Sequence, residues 1–554
     1  MAYLLGGENI VRQQKNITSL KSRASLIAGA LALLAIAFAS AAKASCEDLA
    51  KFSVTDGKIT SVVTVAEKSA IPLNLIPLSM VAPMDFCRVA VTLSPSTDSA
   101  IMAEVWLPDP AKWNGKFFGS GNGGFGGTVS GPALDMRMAL AKGYAAAGDD
   151  LGHEVTSVVP DGRWVIGHPE KVKDFAYRAD HVTAEFAKAL IAAYYGRPPQ
   201  LSYFRGCSNG GHEALMEAER YPADYDGIIA GAPANSWTHI MAGFLWNETA
   251  LFGKPESQIP QSKLTVIQDA VLAQCDALDG VKDGIINDPA MCHFDPKVLL
   301  CKSGDTPNCL THPQLDALRK IYGGPVDPHT GKSIYPGFPA GAEGLAHNWD
   351  TWITNPNAAQ SLFGNQFYGS FVVGDPNWDF RTFDFDKDLA RTDAVFGPII
   401  NSNNPDLSAF AAHGGKLILF QGWDDAAITP WGTIQYYRSI QQKMHPDVAE
   451  RFVRLFMAPG MMHCSGGPGP NTFDAVAAID QWREKNQAPE TLIAARYGDP
   501  TGLLTGKPLG EPLSTRPLCA YPKVAHWVGK GSPDEAQNYV CRAGANDSRG
   551  ATPR

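Results

Sequence analysis

The feature that most constrains this chain is a pentapeptide, Gly206-Cys207-Ser208-Asn209-Gly210, set between stretches of different periodicity. Residues 201–205 ahead of it read as a strand, residues 212–220 behind it as a helix, and residues 225–230 as a returning strand. A strand that must turn into a helix within a few residues leaves no room for bulky side chains, so glycine stands at both ends of the turn. The serine between them is held in a strained backbone position with its hydroxyl exposed. The bare G-x-S-x-G spacing is weak, because roughly 0.3 chance matches are expected in a chain with this much glycine. Its place between strand and helix gives it weight. Strand, turn, helix, strand is the grammar of a parallel sheet.

That grammar extends in both directions. Residues 88–93 and 100–107 read as early strands, residues 143–147 as another, and residues 182–195 as an amphipathic helix. A short strand at 116–118 runs into Gly119-Ser120-Gly121-Asn122-Gly123-Gly124-Phe125-Gly126-Gly127. So much glycine after a strand marks backbone that must approach something closely. From about residue 235 to 404 the texture changes to Pro, Gly, Asn, Asp, Trp and Phe with few long apolar periods. The grammar resumes with strands at 416–421 and 451–457 and helices at 433–443 and 472–484. At 554 residues the chain is too long for one simple core. The expected division is an address at 1–44, a sheet domain at 45–234, a lid inserted at 235–404, and the rest of the sheet domain with its tail at 405–554.

An α/β-hydrolase fold places nucleophile, acid and base in the order Ser, Asp, His, with the last two on loops after later strands. The strand at 416–421 runs into Gly422-Trp423-Asp424-Asp425, and that at 451–457 into Pro459-Gly460-Met461-Met462-His463. Ser208, Asp425 and His463 are therefore the expected catalytic residues of a carboxylester hydrolase, with Asp424 the alternative acid. Cys207 immediately precedes the serine and Cys464 immediately follows the histidine. Catalysis brings the serine and histidine within hydrogen-bond reach, which lets their neighbours meet the Cα separation of about 4.4–6.8 Å that a disulfide needs. A Cys207–Cys464 bond is expected. No Lys follows the glycine loop in phosphate-cradle spacing, and a net charge of −9 without a basic stripe argues against nucleic acid as a partner.

The start of the chain reads as a secretory address. Lys15, Lys21 and Arg23 precede an apolar run at 26–38, which ends in small residues and Ala42-Lys43-Ala44. The run is short for a membrane span of about 20 residues. Lys43, three residues before Cys46, is the wrong residue for lipidation. The expectation is a secreted or periplasmic protein with no membrane association after cleavage. In such a compartment ten cysteines form disulfides. Local pairs fit Cys275–Cys292, Cys301–Cys309 and Cys519–Cys541, although sequence alone does not fix connectivity; Cys46 and Cys87 are left over beside Cys207 and Cys464. Between Cys275 and Ile285, Asp276, Asp279 and Asp283 cluster three carboxylates. The cluster reads either as a solvated acidic turn or as a site for a hard cation such as calcium, in a spacing that is not the EF-hand's.

Taken together, G-C-S-N-G-G, the G-N-G-G-F-G-G loop, Y-D-G-I-I-A-G-A-P-A at 225–234, G-x-x-D and H-C resemble the tannase and feruloyl esterase family. That family includes hydrolases of mono(2-hydroxyethyl) terephthalate, and the resemblance covers about residue 45 to the end. It implies an α/β-hydrolase with a large lid, acting on small esters of aromatic acids. Feruloyl-type esters come first, with galloyl esters and the terephthalate half-ester as alternatives. It implies the pair Cys46–Cys87. It also implies an oxyanion hole of the backbone N–H of Asn209 with that of Gly123 or Gly124. A structural calcium in the lid would be held by Asp276, Asp279 and Asp283 with the carbonyls of Val281 and Ile285. Asp150-Leu151-Gly152-His153 also resembles a family segment and has no evident chemical role. Of the lid aromatics Trp349, Trp352, Phe363, Phe367, Phe371 and Trp378, some could line an acyl pocket, but packing is the simpler role for any one. Terephthalate hydrolases of the family hold the free carboxylate with a lid arginine; Arg381 and Arg391 lie in that broad region, without a matching motif. A non-catalytic, calcium-dependent binding protein would require a broken triad, and here every member is present.

Overall fold

The computed structural model describes residues 45–75 and 77–544; the secretory address read at 1–44 lies outside the described residues. Nine strands form one sheet: β1 (Gly57–Val65), β2 (Phe86–Leu93), β3 (Ile101–Pro108), β4 (Lys116–Ser120), β5 (Ala145–Asp149), β6 (Leu201–Cys207), β7 (Gly227–Gly231), β8 (Lys416–Gly422) and β9 (Val453–Ala458). Their spatial order is β1-β2-β3-β5-β4-β6-β7-β8-β9. Pairing is antiparallel from β1 through β3 to β5, and parallel from β5 to β9.

The parallel half explains its own composition. Strands covered on both faces read as continuous apolar runs, and β7 is buried along its whole length, β8 from Leu417 onward. Alternate residues feed opposite cores. Ile228, Leu417 and Leu419 join one apolar cluster, while Ile229, Ile418 and Phe420 join the other. Burying each such side chain contributes about 1.5–3 kcal/mol. The helices beside these strands are α1 (Ala133–Ala141), α2 (Ala179–Tyr195) and α3 (Asn209–Arg220). α2 and α3 pack into the first cluster and α1 into the second.

β7 and β8 are paired neighbours, yet about 180 residues of chain lie between them. That stretch carries α4 (Trp237–Phe252), α5 (His312–Gly323) and α6 (Ala359–Gln366) and contributes no strand to the nine-stranded sheet. It has an apolar cluster of its own, built on Leu251, Ile267, Leu318, Ile321 and Trp349. α5 opens on a reciprocal cap in which Thr311 and Gln314 satisfy each other's backbone N–H. After β8 the chain returns to sheet-and-helix alternation with α7 (Pro430–Met444) and α8 (Ala475–Lys485). The tail forms two hairpin-like pairs, Thr491–Arg496 with Ser514–Cys519 and Lys523–Trp527 with Tyr539–Ala543. Five disulfides join Cys46–Cys87, Cys207–Cys464, Cys275–Cys292, Cys301–Cys309 and Cys519–Cys541.

Two differences from the sequence reading have a clear physical reason. The helix expected at 212–220 begins at Asn209, because Gly210 and Gly211 are helical residues rather than turn residues. Their missing side chains serve close approach: a Cβ on Gly210 would lie 2.8 Å from the Asn122 carbonyl, and one on Gly211 would strike that of Gly231. The edge strand β1 was not read at all. Its residues are exposed or half-buried, so they carry no apolar alternation to detect.

Candidate active site

Between the end of β6 and the start of α3 stands a single residue, Ser208, at φ 66° and ψ −119°. A non-glycine residue there carries strain on the order of 1–3 kcal/mol, so the surroundings must over-determine it. They do. The Ser208 N–H donates to Gly231 O at 2.9 Å, while its carbonyl accepts from His212 N at 3.1 Å and Ala234 N at 3.0 Å. Gly206 cannot be larger, since a Cβ would collide with the Gly210 backbone.

Asp425 lies in the loop after β8 and His463 in the loop after β9. His463 Nδ1 is 2.9 Å from Asp425 Oδ2. The carboxylate is buried and fully engaged. Its Oδ1 accepts from the N–H of Ala427 at 2.8 Å and Ile428 at 2.9 Å, and Oδ2 also accepts from Gln421 Nε2 at 2.8 Å. Thr433 Oγ1 in turn donates to Gln421 Oε1 at 2.8 Å, which fixes the amide's orientation. Asp424 has a different environment. Burial, with Glu343 adding to it, pushes its carboxyl up to about 8, and its backbone is tied to Met461 O and Asn348 Nδ2. The structure thus pairs the imidazole with Asp425 and not with its neighbour. Cys207 and Cys464 are disulfide-bonded with Cα atoms 5.9 Å apart, joining the serine turn to the histidine loop.

Ser208 and His463 open onto one cavity of about 300 Å³. Gly123, Gly124 and Asn209 contribute backbone to it; Trp237, Met241, Phe244, Trp352, Phe363 and Ile428 contribute side chains. Among the described residues, no Asp, Glu, Lys or Arg lines it. Trp352 meets the His463 ring edge-on, with centroids 5.1 Å apart and planes at 70°. Of the six aromatics singled out in the sequence, Trp352 and Phe363 reach the cavity. Trp349, Phe367 and Phe371 are buried in packing, and Trp378 lies against Tyr368 and Phe383. Arg381 is exposed beside Asp379 and over Phe380, and Arg391 is not among the lining residues. Sequence reading missed Trp237, Met241 and Phe244. Their spacing of four and three residues on α4 is one helix face, and that was the available signal.

The glycine loop passes against the serine turn at backbone distance. A Cβ on Gly121 would sit 2.8 Å from Gly210 Cα. The Gly123 N–H is turned onto Asn122 Oδ1 at 2.9 Å. Gly124, at φ 60°, has no acceptor for its N–H among the described residues. Asn209 is the first residue of α3, where the N–H has no intrahelical partner. Asp150-Leu151-Gly152-His153 lies behind this loop. Asp150 O accepts from Gly127 N at 2.9 Å, Asp150 Oδ1 from Gly152 N at 2.9 Å, and His153 stacks on Trp164 with ring centroids 3.6 Å apart. The segment buttresses the loop.

The sequence pattern described as tannase and feruloyl esterase matches residues 87–542. The chain belongs to the tannase and feruloyl esterase family. It is 39% identical over 550 residues to an uncharacterised esterase of Xanthomonas campestris pv. campestris, with 92% of each chain covered. It is 34% identical over 537 residues to a probable feruloyl esterase of Arthroderma benhamiae, covering 92% of this chain and 96% of that one. The crystal structure of feruloyl esterase B from Aspergillus oryzae superposes with a TM-score of 0.80 at 30% identity, over 90% of this chain and 99% of that one. This protein is a carboxylic ester hydrolase with the α/β-hydrolase fold.

The acidic loop of this esterase lies apart from the cavity. Asp276 Oδ1 accepts from the N–H of Asp283 at 3.2 Å and Gly284 at 3.1 Å, and Asp279 Oδ1 from Val281 N at 3.0 Å. Asp283 Oδ2 pairs with Arg516 Nη2 at 2.6 Å, a partner 233 positions away in sequence. Burial, and then Asp283 and Asp276, raise the Asp279 carboxyl. Among the described residues, no three His, Cys, Asp or Glu side chains converge as a metal-holding group in this arrangement.

Proposed function

We propose that this esterase cleaves hydroxycinnamic, feruloyl-type esters through a serine acyl-enzyme. The observation that carries the reading is Ser208 on a strained turn, sharing a cavity with an imidazole that Asp425 orients at 2.9 Å. Ser208 Oγ attacks the ester carbonyl as His463 takes its proton. The oxyanion is met by the N–H of Asn209 and by one from the glycine loop. Gly124 is the better second donor, since the Gly123 N–H is already engaged. Collapse expels the alcohol with the proton from His463, leaving the acyl group on Ser208. Water, deprotonated by His463, then releases the acid and restores the serine. Cys207 is in a disulfide and is not the nucleophile.

The apolar, aromatic wall favours a planar and sparsely polar acyl group. A terephthalate carboxylate would enter with no cation to meet it, which is costly in a desolvated pocket. A galloyl group would need partners for three hydroxyls, each costing about 1–3 kcal/mol if buried unpaired. Tannase activity and mono(2-hydroxyethyl) terephthalate hydrolysis remain the competing substrate readings. Residues 235–404 act as a lid that supplies the aromatic side chains of the wall. Export follows from the address at 1–44; five disulfides support it, and no helix among the described residues is long and apolar enough to cross a membrane. A structural calcium at Asp276, Asp279 and Asp283, with the carbonyls of Val281 and Ile285, would have to draw together carboxylates that do not converge among the described residues. That ion would relieve repulsion among the carboxylates and take no part in chemistry. Methyl ferulate, methyl gallate and the terephthalate half-ester, compared by kcat/KM on purified protein, test the substrate. The highest value is expected for ferulate, and a higher one for gallate would make the enzyme a tannase.

A further inference from the structure

Behind Ser208, one buried carboxyl reaches both backbone segments that would cradle the oxyanion. Glu213, on the second turn of α3, accepts from Asn209 Nδ2 with Oε1 at 2.8 Å and from the Asn122 N–H with Oε2 at 2.9 Å. Asn209 directly follows the serine. Asn122 leads into Gly123 and Gly124, and its own side chain holds that loop by donating to Thr128 O at 2.9 Å and Asp149 O at 3.0 Å. No side chain intervenes where the segments touch, because Gly121 and Gly210 meet there. Glu213 therefore spans the seam just beyond the last paired residues of β4 and β6, Ser120 and Arg205.

We infer that Glu213 is a positioning residue that sets the separation of the two oxyanion-hole donors. This rests on the serine reading above. A buried acid would be an expensive choice for mere filling, since Glu213 is 1% exposed and an apolar residue would pack there without desolvation cost. An acceptor with two oxygens is required because both groups it holds are donors. Burial raises Glu213 and its neighbour Asp180, at the start of α2, well above the carboxylate range. Burial, and for Asp180 the like charge of Glu213 beside it, favours the protonated forms, so the pair need not carry two charges. Glu213 touches no reacting atom and acts only through Asn122 and Asn209.

The test compares Glu213→Leu, Glu213→Gln and Asn209→Ala. Losing one well-placed oxyanion donor costs about 10²–10³ in kcat. Glu213→Leu should lower kcat on methyl ferulate by about 10²-fold on that scale, leave KM nearly unchanged, and weaken inhibition by an aryl boronic acid in parallel. Glu213→Gln should recover most of the loss. Its amide oxygen can accept from Asn122, and its NH2 can donate to Asn209 Oδ1, which has no partner now. If Glu213→Leu does not fold, Asn209→Ala carries the test, because it removes one arm of the clamp and keeps the backbone donor. It should lower kcat about tenfold at constant KM. A folded Glu213→Leu or Asn209→Ala with wild-type kcat would overturn the inference, as would a Glu213→Gln as impaired as Glu213→Leu. An active Ser208→Ala would instead overturn the serine mechanism. An inactive Ser208→Ala beside a fully active Glu213→Leu would remove the clamp alone.

Discussion

Around Ser208 the backbone does the positioning, through strand register, glycine contacts and one residue at positive φ. Across the same cavity, in residues 235–404, side chains do it: Trp237, Met241 and Phe244 on α4, with Phe363 and Trp352 beside them, pack into the apolar cluster that also holds Ile228 and Leu417. The difference separates two tasks. In the proposed reaction, the groups nearest the reacting carbon come from the ends of paired strands. Groups that would choose the acyl chain, on the same proposal, come from helices that can change residue by residue without disturbing the register. Trp237, Met241, Phe244, Trp352 and Phe363 all belong to the second set.

If the tasks are separate, changes on the sheet side should lower kcat on every ester alike. Ser208→Ala should do so by at least about 10⁴-fold while the protein stays folded, because the nucleophile is gone and the new side chain is small. Turnover near wild type would end the serine mechanism. Asp425→Asn comes next, at about 10³–10⁴-fold, since an amide at that position favours the wrong imidazole tautomer. Asp424→Asn should stay close to wild type. An acid pushed up to about 8 is already neutral at pH 7, and an amide imitates it. The opposite ranking would reassign the acid.

Replacing Cys207 and Cys464 together by Ala sharpens the boundary between the regions, because their bond is the covalent tie between the serine turn and the histidine loop. The expected result is about a 10²-fold loss of kcat from slight misplacement of the histidine loop, in a protein that still unfolds cooperatively. Activity within threefold of wild type would show that strand register alone suffices. On the other side, Phe244→Ala should raise KM for methyl ferulate by about tenfold and leave phenyl acetate hydrolysis little changed. An equal loss on both esters would break the separation.

The smallest effect on turnover should come from the acidic loop. A chelator, or Asp279→Ala, should lower the thermal midpoint by a few degrees without stopping catalysis. A ligand at a hundredfold excess over its Kd stabilises the native state by about 2.7 kcal/mol. Elemental analysis finding no bound metal, with a midpoint indifferent to calcium and chelator alike, would leave the loop as a turn closed by Arg516.

Much of the sheet side was legible in the sequence because its constraints are local. A glycine on each side of a serine, an Asp–Asp pair after one strand and a His–Cys pair after the next can be read in chain order. The structure then separates Asp425 from Asp424 by what surrounds them, which sequence does not carry. The wall of the cavity was only partly legible. Trp352 and Phe363 stood among aromatics of which most are packing, and Trp237 was passed over at the very start of the stretch read as a lid. The Asp283–Arg516 pair was invisible, since nothing near either residue points to a partner more than two hundred positions away. β1 escaped for the reverse reason: its place at the edge asks too little of its side chains to leave a pattern.

The disulfide between Cys207 and Cys464 spans 257 positions and encloses all of residues 235–404 in a covalent ring. A protease that cuts once anywhere in that ring breaks the chain without dividing the molecule. The two pieces stay joined beside the serine and migrate as one species until reduced. An enzyme built this way can be nicked in its insertion, in whatever proteolytic surroundings it meets, and keep its serine turn and histidine loop fastened together.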